Sequence, residues 1–447
     1  MNVWIVAGET VFILLILFFV WFFCVSFIEK EKKAFVRSGI FWVFLLCLNA
    51  LFFLPSLPLR TFLFAGTAVF FIIFFVWIVL SPKPKKSIEI VGDQTRTDER
   101  DVIFARFDLQ ERSQIFKDYY ASHPDLASTD RSIRQSPDLF APSHNKKNPK
   151  LFSLASAEFD FLEHQLTQVD GKVGPNPVTS SENENSQFIK KVIAYLGSDL
   201  CGISALDQSY VYSHIGRGPD FYGKEICLEH RYAIVFAVEM DLAMVATAPR
   251  APVVVETGKQ YVEAAKISII AADLIRRMGY SARAHIAGSN YQAMLPPLGW
   301  KAGLGELGRI GTLITTKFGP RARLGLVTTS LPLKPDKTKE FGVQDFCEKC
   351  RKCAVNCPSQ AIPHGEKKED NGVLKWVLNR EECYRYWRKT GTDCAVCMYV
   401  CPYSKPDNLF HNFIRVFAAK SSFAQSVSVW GDDFFYGRKP SRKKFPL

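Results

Sequence analysis

Eight of the chain's twelve cysteines fall between Cys347 and Cys401, and their spacing dictates how that stretch must fold. The first four read Cys347-x2-Cys350-x2-Cys353-x3-Cys357-Pro358. In such a run three thiolates on a tight loop converge on one cubane iron–sulfur cluster, while the fourth reaches across to a second cluster. The other set closes the same way, Cys394-x2-Cys397-x3-Cys401-Pro402, with its first ligand upstream at Cys383. Crossing the fourth ligands predicts one [4Fe–4S] cluster on Cys347, Cys350, Cys353 and Cys401, and a second on Cys383, Cys394, Cys397 and Cys357. Zinc favours two separated pairs, often with histidine, and disulfides need an oxidising compartment. The spacing favours two low-potential clusters, in a chain that moves electrons.

Residues 1–86 are a different material. Three apolar runs, about 4–28, 40–59 and 61–80, contain Glu9 as their only acid. Each is about the 20 residues that a helix needs to cross ~30 Å of hydrocarbon. A cleaved signal peptide would be shorter and follow a basic start, and here two more runs follow. Lys30, Lys32, Lys33 and Arg37 occupy the first loop, and Lys83, Lys85 and Lys86 follow the third run, whereas the second loop holds only Arg60. Positive-inside reasoning then places everything beyond residue 82 in the cytoplasm, below a multi-pass anchor in the cytoplasmic membrane. A reducing compartment suits cluster thiolates. The anchor has eight Lys/Arg against three Asp/Glu and so carries five of the formal +12. The remainder is spread without a basic block interleaved with aromatics, so nucleic-acid binding has no support. The basic end, residues 438–445, suits a solvated tail beside anionic lipid.

The rest divides into a polar, turn-rich arm (87–186), an α/β core (187–340), the ferredoxin-like two-cluster module (341–405) and a C-terminal tail (406–447). In the core, Phe188, Ile189, Val192, Ile193 and Leu196 recur at helical spacing and Gly197 closes the run. Residues 231–239 and 322–329 read as buried strands, and 260–278 as a helix ended by Gly279. Strands alternating with helices indicate an α/β layer. Gly303-Leu-Gly305-Glu-Leu-Gly308 spells a dinucleotide fingerprint, but that motif has meaning only after a strand and before a helix. Here it follows Pro296-Pro297, which no central strand tolerates. A glycine loop that lets backbone approach a large flat ligand is the better reading.

Five stretches together resemble the reductive dehalogenases, corrinoid iron–sulfur enzymes that remove halogen from organic halides. They are Tyr212–Arg217, Tyr261–His285, Pro296–Arg309, Phe318–Leu324 and Phe341–Ser404, in that order. The resemblance implies a nitroreductase-like α/β core holding a base-off cobamide whose cobalt is fed by the two clusters. The net reaction is R–X + 2e⁻ + H⁺ → R–H + X⁻. Whether halogen or carbon is attacked stays open. The family's proton donor is a tyrosine at the start of a helix beside a cation. By motif position these are Tyr261 and Arg323, with Arg321 as the alternative cation. A tyrosine holds its proton at neutral pH, its ordinary pKa being near 10. A guanidinium, which cannot deprotonate, stabilises the developing phenolate. Gly303, Gly305, Glu306, Gly308, Arg309 and Asn290 are the expected cofactor contacts, with Glu306 and Arg309 equally readable as a structural pair. His214, His230 and His285 read as structural.

The chain departs from respiratory members, which carry a twin-arginine signal and dock on a separate anchor protein. It brings its own spans, as if catalyst and anchor were fused. Its donor is expected to be a reduced ferredoxin or flavodoxin. A membrane quinol is a poorer match to clusters near about −400 mV. Two alternatives compete with a dehalogenase. An epoxyqueuosine-reductase-like enzyme would need an aspartate shortly before the glycine loop, yet residues 284–305 hold no Asp or Glu. A non-enzymatic electron-transfer subunit would need no cobamide.

Overall fold

A computed structural model describes residues 3–54, 56–84, 88–139, 141–145, 148–218, 220–288, 291–440 and 442–443. They form two compact units: Met1–Lys85 with Glu348–Cys350 and Pro406–Pro440, and Lys86–Cys347 with Arg351–Lys405 and Ser441–Leu447.

The first unit holds three helices long and apolar enough to cross a membrane, Val3–Ile28, Lys32–Phe52 and Leu57–Leu80. The second begins at Lys32, not near residue 40, and ends at Phe52. The sequence is compatible with the earlier end, since a residue before proline, here Leu54, is disfavoured in helical geometry. Pro58 lies in the first turn of the third, where its missing N–H costs nothing. Gly8 lets the first helix touch the third, since a Cβ there would meet the Phe64 carbonyl oxygen at 2.5 Å. What reads as a tail is two helices, Leu409–Ala418 and Ser422–Phe435, capped by Asn408 and Ser421 side chains.

The second unit is built on a four-stranded sheet. Its order is Leu200–Ala205, Tyr232–Glu239, Ala322–Thr329, Ala282–His285, and every pairing is antiparallel. The α/β layering expected from the sequence is therefore antiparallel and not made of parallel crossovers. The strand Tyr232–Glu239 is apolar and buried from Ala233 to Val238, where both its faces are covered. Ile234, Phe236 and Val238 pack with the helices Glu182–Tyr195 and Ala251–Arg277, while Ala233 and Val235 pack with Leu298, Trp300 and Leu313 on the other face. Gly325 stands opposite Phe236, whose ring fills the space where a Cβ would lie.

Two boundaries differ from expectation. The long helix starts at Ala251, so Tyr261 lies in its third turn. Pro252 in the first turn is compatible with that start, and Val253, Val254 and Val255 are buried. The 87–186 segment is substantially helical, and its Pro149–His164 helix packs Phe152 and Ala155 against Val254 and Val255.

The cysteine module repeats one device. Arg351 and Ala395, both with positive φ (48° and 53°), open the short helices Lys352–Asn356 and Val396–Val400. Each helix then runs out into a Cys-Pro pair, Cys357-Pro358 and Cys401-Pro402. Left-handed backbone at non-glycine residues is costly, and such strain clusters at ligand-holding turns.

Candidate active site

Tyr261 projects from the Ala251–Arg277 helix, one turn beyond Thr257 on the same face. Arg323, on the Ala322–Thr329 strand, grips both. Its guanidinium lies over the Tyr261 ring, 4.8 Å from the centroid, with Nη1 3.5 Å from the hydroxyl, the outer limit of a hydrogen bond. Nη2 donates to Thr257 Oγ1 and to Asp393 Oδ2, each at 2.6 Å, and Thr257 donates to the same carboxylate at 2.5 Å. Helix, strand and cysteine loop thus meet at one guanidinium.

Asp393 was not singled out in the sequence, where it reads only as the residue before Cys394. Counting the charged neighbours of cysteines would have found it. Burial raises its carboxyl above the usual range even beside Arg323. Burial also works against the Arg323 charge, but Tyr261, Asp393 and Tyr291 outweigh it and hold the guanidinium above its ordinary value. Arg323 Nε and Asp393 Oδ1 are buried without a hydrogen-bond partner among the described residues.

A cavity of about 760 Å³ opens beside this group. At one end stand Tyr261, Arg323, Tyr291, Tyr212 and Arg217. Burial, then the nearby Tyr261, pushes the Tyr291 phenol far up, and burial takes Tyr212 to about 12, so both stay protonated. Arg217 is held by Glu99 at 3.1 Å. The cavity wall also includes Gly308, Gly311, Trp376, Leu378 and the ligand candidate Cys383. Gly308 and Gly311 leave backbone bare there; a Cβ on Gly308 would stand 2.7 Å from the Ile314 side chain.

The other expected site residues fall elsewhere. Arg321 is buried against Glu239 (2.7 Å) and the Ser404 carbonyl (2.9 Å), and also donates to the Met240 carbonyl; it is not in the cavity wall. Gly305 and Glu306 belong to a hairpin, Gly305–Leu307 with Leu313–Thr315, where a dinucleotide site would have a helix. Gly303 has φ +74° and abuts the Lys337 carbonyl. Glu306 accepts the Phe341 and Val343 N–H groups, so it anchors the start of the cysteine module. Arg309 donates to the carbonyls of Cys347 (3.2 Å), Pro363 (2.8 Å) and Gly365 (3.0 Å), and covers the Trp376 ring. Of the expected loop contacts, only Gly308 lines the cavity. Asn290 lies outside the described residues. His230 and His285 share Thr328 Oγ1, each at 2.9 Å, and His214 meets Asp98 at 3.3 Å.

Among the described residues no cysteine forms a disulfide. Among the described residues no three His, Cys, Asp or Glu converge on a single-ion position. Instead Cys397 is raised by burial and then by the nearby Cys394, Cys383, Cys353 and Cys357, while Cys383 and Cys394 each feel Cys357. Burial takes Cys383 to about 11 and Cys394 to about 12, so thiolate there requires bound positive charge. This donor set fits a cluster.

Comparison with known proteins agrees. Residues 346–405 match the 4Fe-4S dicluster domain. The chain is 32% identical over 302 residues to a tetrachloroethene reductive dehalogenase of Desulfitobacterium hafniense, covering 57% of this chain and 54% of the relative. It is 30% identical over 298 residues to the enzyme of that name from Sulfurospirillum multivorans, covering 59% of each. A catabolic reductive dehalogenase solved with 3-bromo-4-hydroxybenzoic acid superposes with a TM-score of 0.64 at 26% identity, over 80% of this chain and 49% of that one. The chain thus spans about half the length of the relatives it matches. In sequence and in fold it is a relative of the reductive dehalogenases, and it carries a 4Fe-4S dicluster domain.

Proposed function

We propose that the chain is a membrane-anchored reductive dehalogenase that removes halide from an organohalide, an aromatic one by preference, at a cobamide fed by two [4Fe–4S] clusters. The observation that carries the reading is that one cavity is walled by both Tyr261 with Arg323 and by Cys383. Proton delivery and electron entry then face the same space. A base-off cobamide bound there, in a nitroreductase-like core, supplies the low-potential two-electron chemistry that carbon–halogen cleavage needs. Leu307, Gly308, Gly311 and Thr312 would lie against it, with Trp376 and Leu378 beside them.

The chain's own residues supply the rest. Tyr261 gives its phenolic proton to the carbon that loses halide. Arg323 stays charged at every accessible pH and stabilises the phenolate as it forms. Asp393 and Thr257 fix the guanidinium in that position. Tyr212, Tyr291 and Trp300 offer rings for an aromatic substrate, and Arg217 a cation for an acidic one. The three apolar helices hold this catalyst at the cytoplasmic membrane with the cavity-bearing unit on the cytoplasmic side. A reduced ferredoxin or flavodoxin delivers the electrons in preference to a quinol.

The test is to purify the full chain with cobamide, supply a strong reductant, and screen chlorinated and brominated aromatics for halide release. Activity that falls by about 10²–10⁴ in Tyr261→Phe, the range of general-acid catalysis, supports the assignment. Undiminished turnover in that variant refutes the role of Tyr261. Cluster-loaded protein that takes up no cobamide would favour an electron-transfer subunit instead. Topology has a separate check: alkaline phosphatase fused at the C-terminus and active in the periplasm would reverse it.

A further inference from the structure

The helices Leu409–Ala418 and Ser422–Phe435 pack within the first unit against the ends of all three apolar helices. Phe410 stacks on Phe22 (4.8 Å), Phe435 meets Phe22 edge-on (4.9 Å), and Phe423 meets Trp77 (5.2 Å). Phe435 also lies 5.8 Å from Phe41, and Arg37 donates to the Phe434 carbonyl. One face of the first helix is therefore buried.

The face away from Phe22 is apolar and half or more exposed. Leu409, Phe413 and Val416, spaced at one helical stripe, are 82%, 50% and 59% exposed, and Trp430 on the second helix is 59% exposed. Exposed apolar stripes of this kind mark a surface that something covers. Polar groups are gathered at one level: Glu29 accepts from Asn408 at 2.7 Å and pairs with His411 at 3.0 Å.

Depth identifies the cover. The Val3–Ile28 helix has 26 residues and so is about 39 Å long, against ~30 Å of hydrocarbon. Centred in a bilayer, it overhangs each edge by roughly 4–5 Å. The Phe413 ring stands 6.2 Å from Trp21 and 6.4 Å from Phe18. Those residues lie roughly 10 and 15 Å back along the axis from Ile28, hence about 6–10 Å inside the hydrocarbon edge. Glu29, just past Ile28, falls at the headgroups. An amphipathic helix lying in the interface buries its apolar face to about 5–10 Å. Phe413 meets that depth, and Leu409 and Val416 share its stripe.

We propose that these two helices form an interfacial collar immersed in the leaflet around the ends of the spans, with lipid acyl chains as the partner of the bare stripe. The proposal rests on the reading that the three apolar helices cross a membrane. It is tested on the full chain in phosphatidylcholine vesicles doped with a diazirine-bearing acyl chain, with adducts mapped by mass spectrometry after illumination. Adducts on residues 409–416 and on Trp430, together with adducts on the spans, are expected. A variant with Leu409, Phe413 and Val416 all replaced by serine should keep the span adducts and lose at least tenfold at the stripe. Adducts on the spans but none on the collar would overturn the proposal, whether the stripe then proves bare or covered by a second copy of the chain. Absence of adducts on the spans would overturn the membrane reading itself.

Discussion

The ion pair between Arg323 and Asp393 should be among the strongest single couplings in the catalytic unit, and its strength follows from its surroundings. The nitrogen–oxygen distance is 2.6 Å, and the side chains are 15% and 8% exposed. With charge centres about 4 Å apart and an effective dielectric near 20, the Coulomb attraction is roughly 4 kcal/mol. Removing one partner of a buried pair costs about 3–5 kcal/mol, because the other charge is left desolvated. An exposed pair would contribute about 0–1 kcal/mol. The two environments therefore differ by enough to decide between them.

The experiment is a double-mutant cycle of Asp393→Asn and Arg323→Gln in the full chain in detergent, with urea unfolding followed by proteolysis of the opened state. Each single variant should lose about 3 kcal/mol or more. The double variant should lose less than the sum by about 2–3 kcal/mol, since neither charge is then left alone. A coupling below about 1 kcal/mol would refute the buried pair, and with it the idea that Asp393 positions the guanidinium. Turnover gives the functional half of the test. On the proposed role of Arg323 toward a Tyr261 phenolate that exists only in the transition state, Asp393→Asn should lower kcat more than KM.

Three further outcomes are expected. Cys357→Ser should alter the electron paramagnetic resonance of the cluster proposed for Cys383, Cys394 and Cys397, since Cys357 lies near those thiols. A spectrum in which only the Cys347 cluster changes would overturn the crossed pairing. Gly308→Val, whose Cβ would press on Ile314 and stand 3.7 Å from Cys347 Sγ, should weaken cobamide uptake at least tenfold, measured as bound corrinoid per iron-loaded chain; unaltered uptake would remove the backbone wall from the site. Glu158, on the Pro149–His164 helix, is raised by burial and then by Glu256 to about 7, so its neutral form is favoured in the folded state. The stabilisation is present below its unfolded pKa and is lost as pH rises through about 7. Protection of that helix in hydrogen exchange, corrected for intrinsic exchange rate, should fall between about pH 4.5 and 7, and Glu158→Gln should flatten the dependence.

What could be read in advance was whatever a local pattern enforces. Cysteine spacing is a covalent rule, and apolar runs of bilayer length are nearly one. Strand Ala322–Thr329 was legible because Leu324, Leu326 and Val327 give it an apolar middle that the fold buries. Tyr261 and Arg323 could be singled out only through family motifs, since their meeting depends on a helix and a strand 62 positions apart. The misreadings share the opposite cause. The helical reading began at 260, and Val253, Val254 and Val255 before it are weak helix formers, whereas packing against Phe152 and Ala155 extends the helix back to Ala251. Glu306 and Arg309, which flank glycines, stood open between cofactor contact and structural pair. Their actual partners are backbone groups dozens of residues away in the cysteine module, and no periodicity records such partners. Asp393 shows the same limit most sharply. Its neighbour Cys394 carries the visible motif, but its own role follows from Arg323 arriving on another strand, and a charge becomes a positioning group only once the fold has desolvated it.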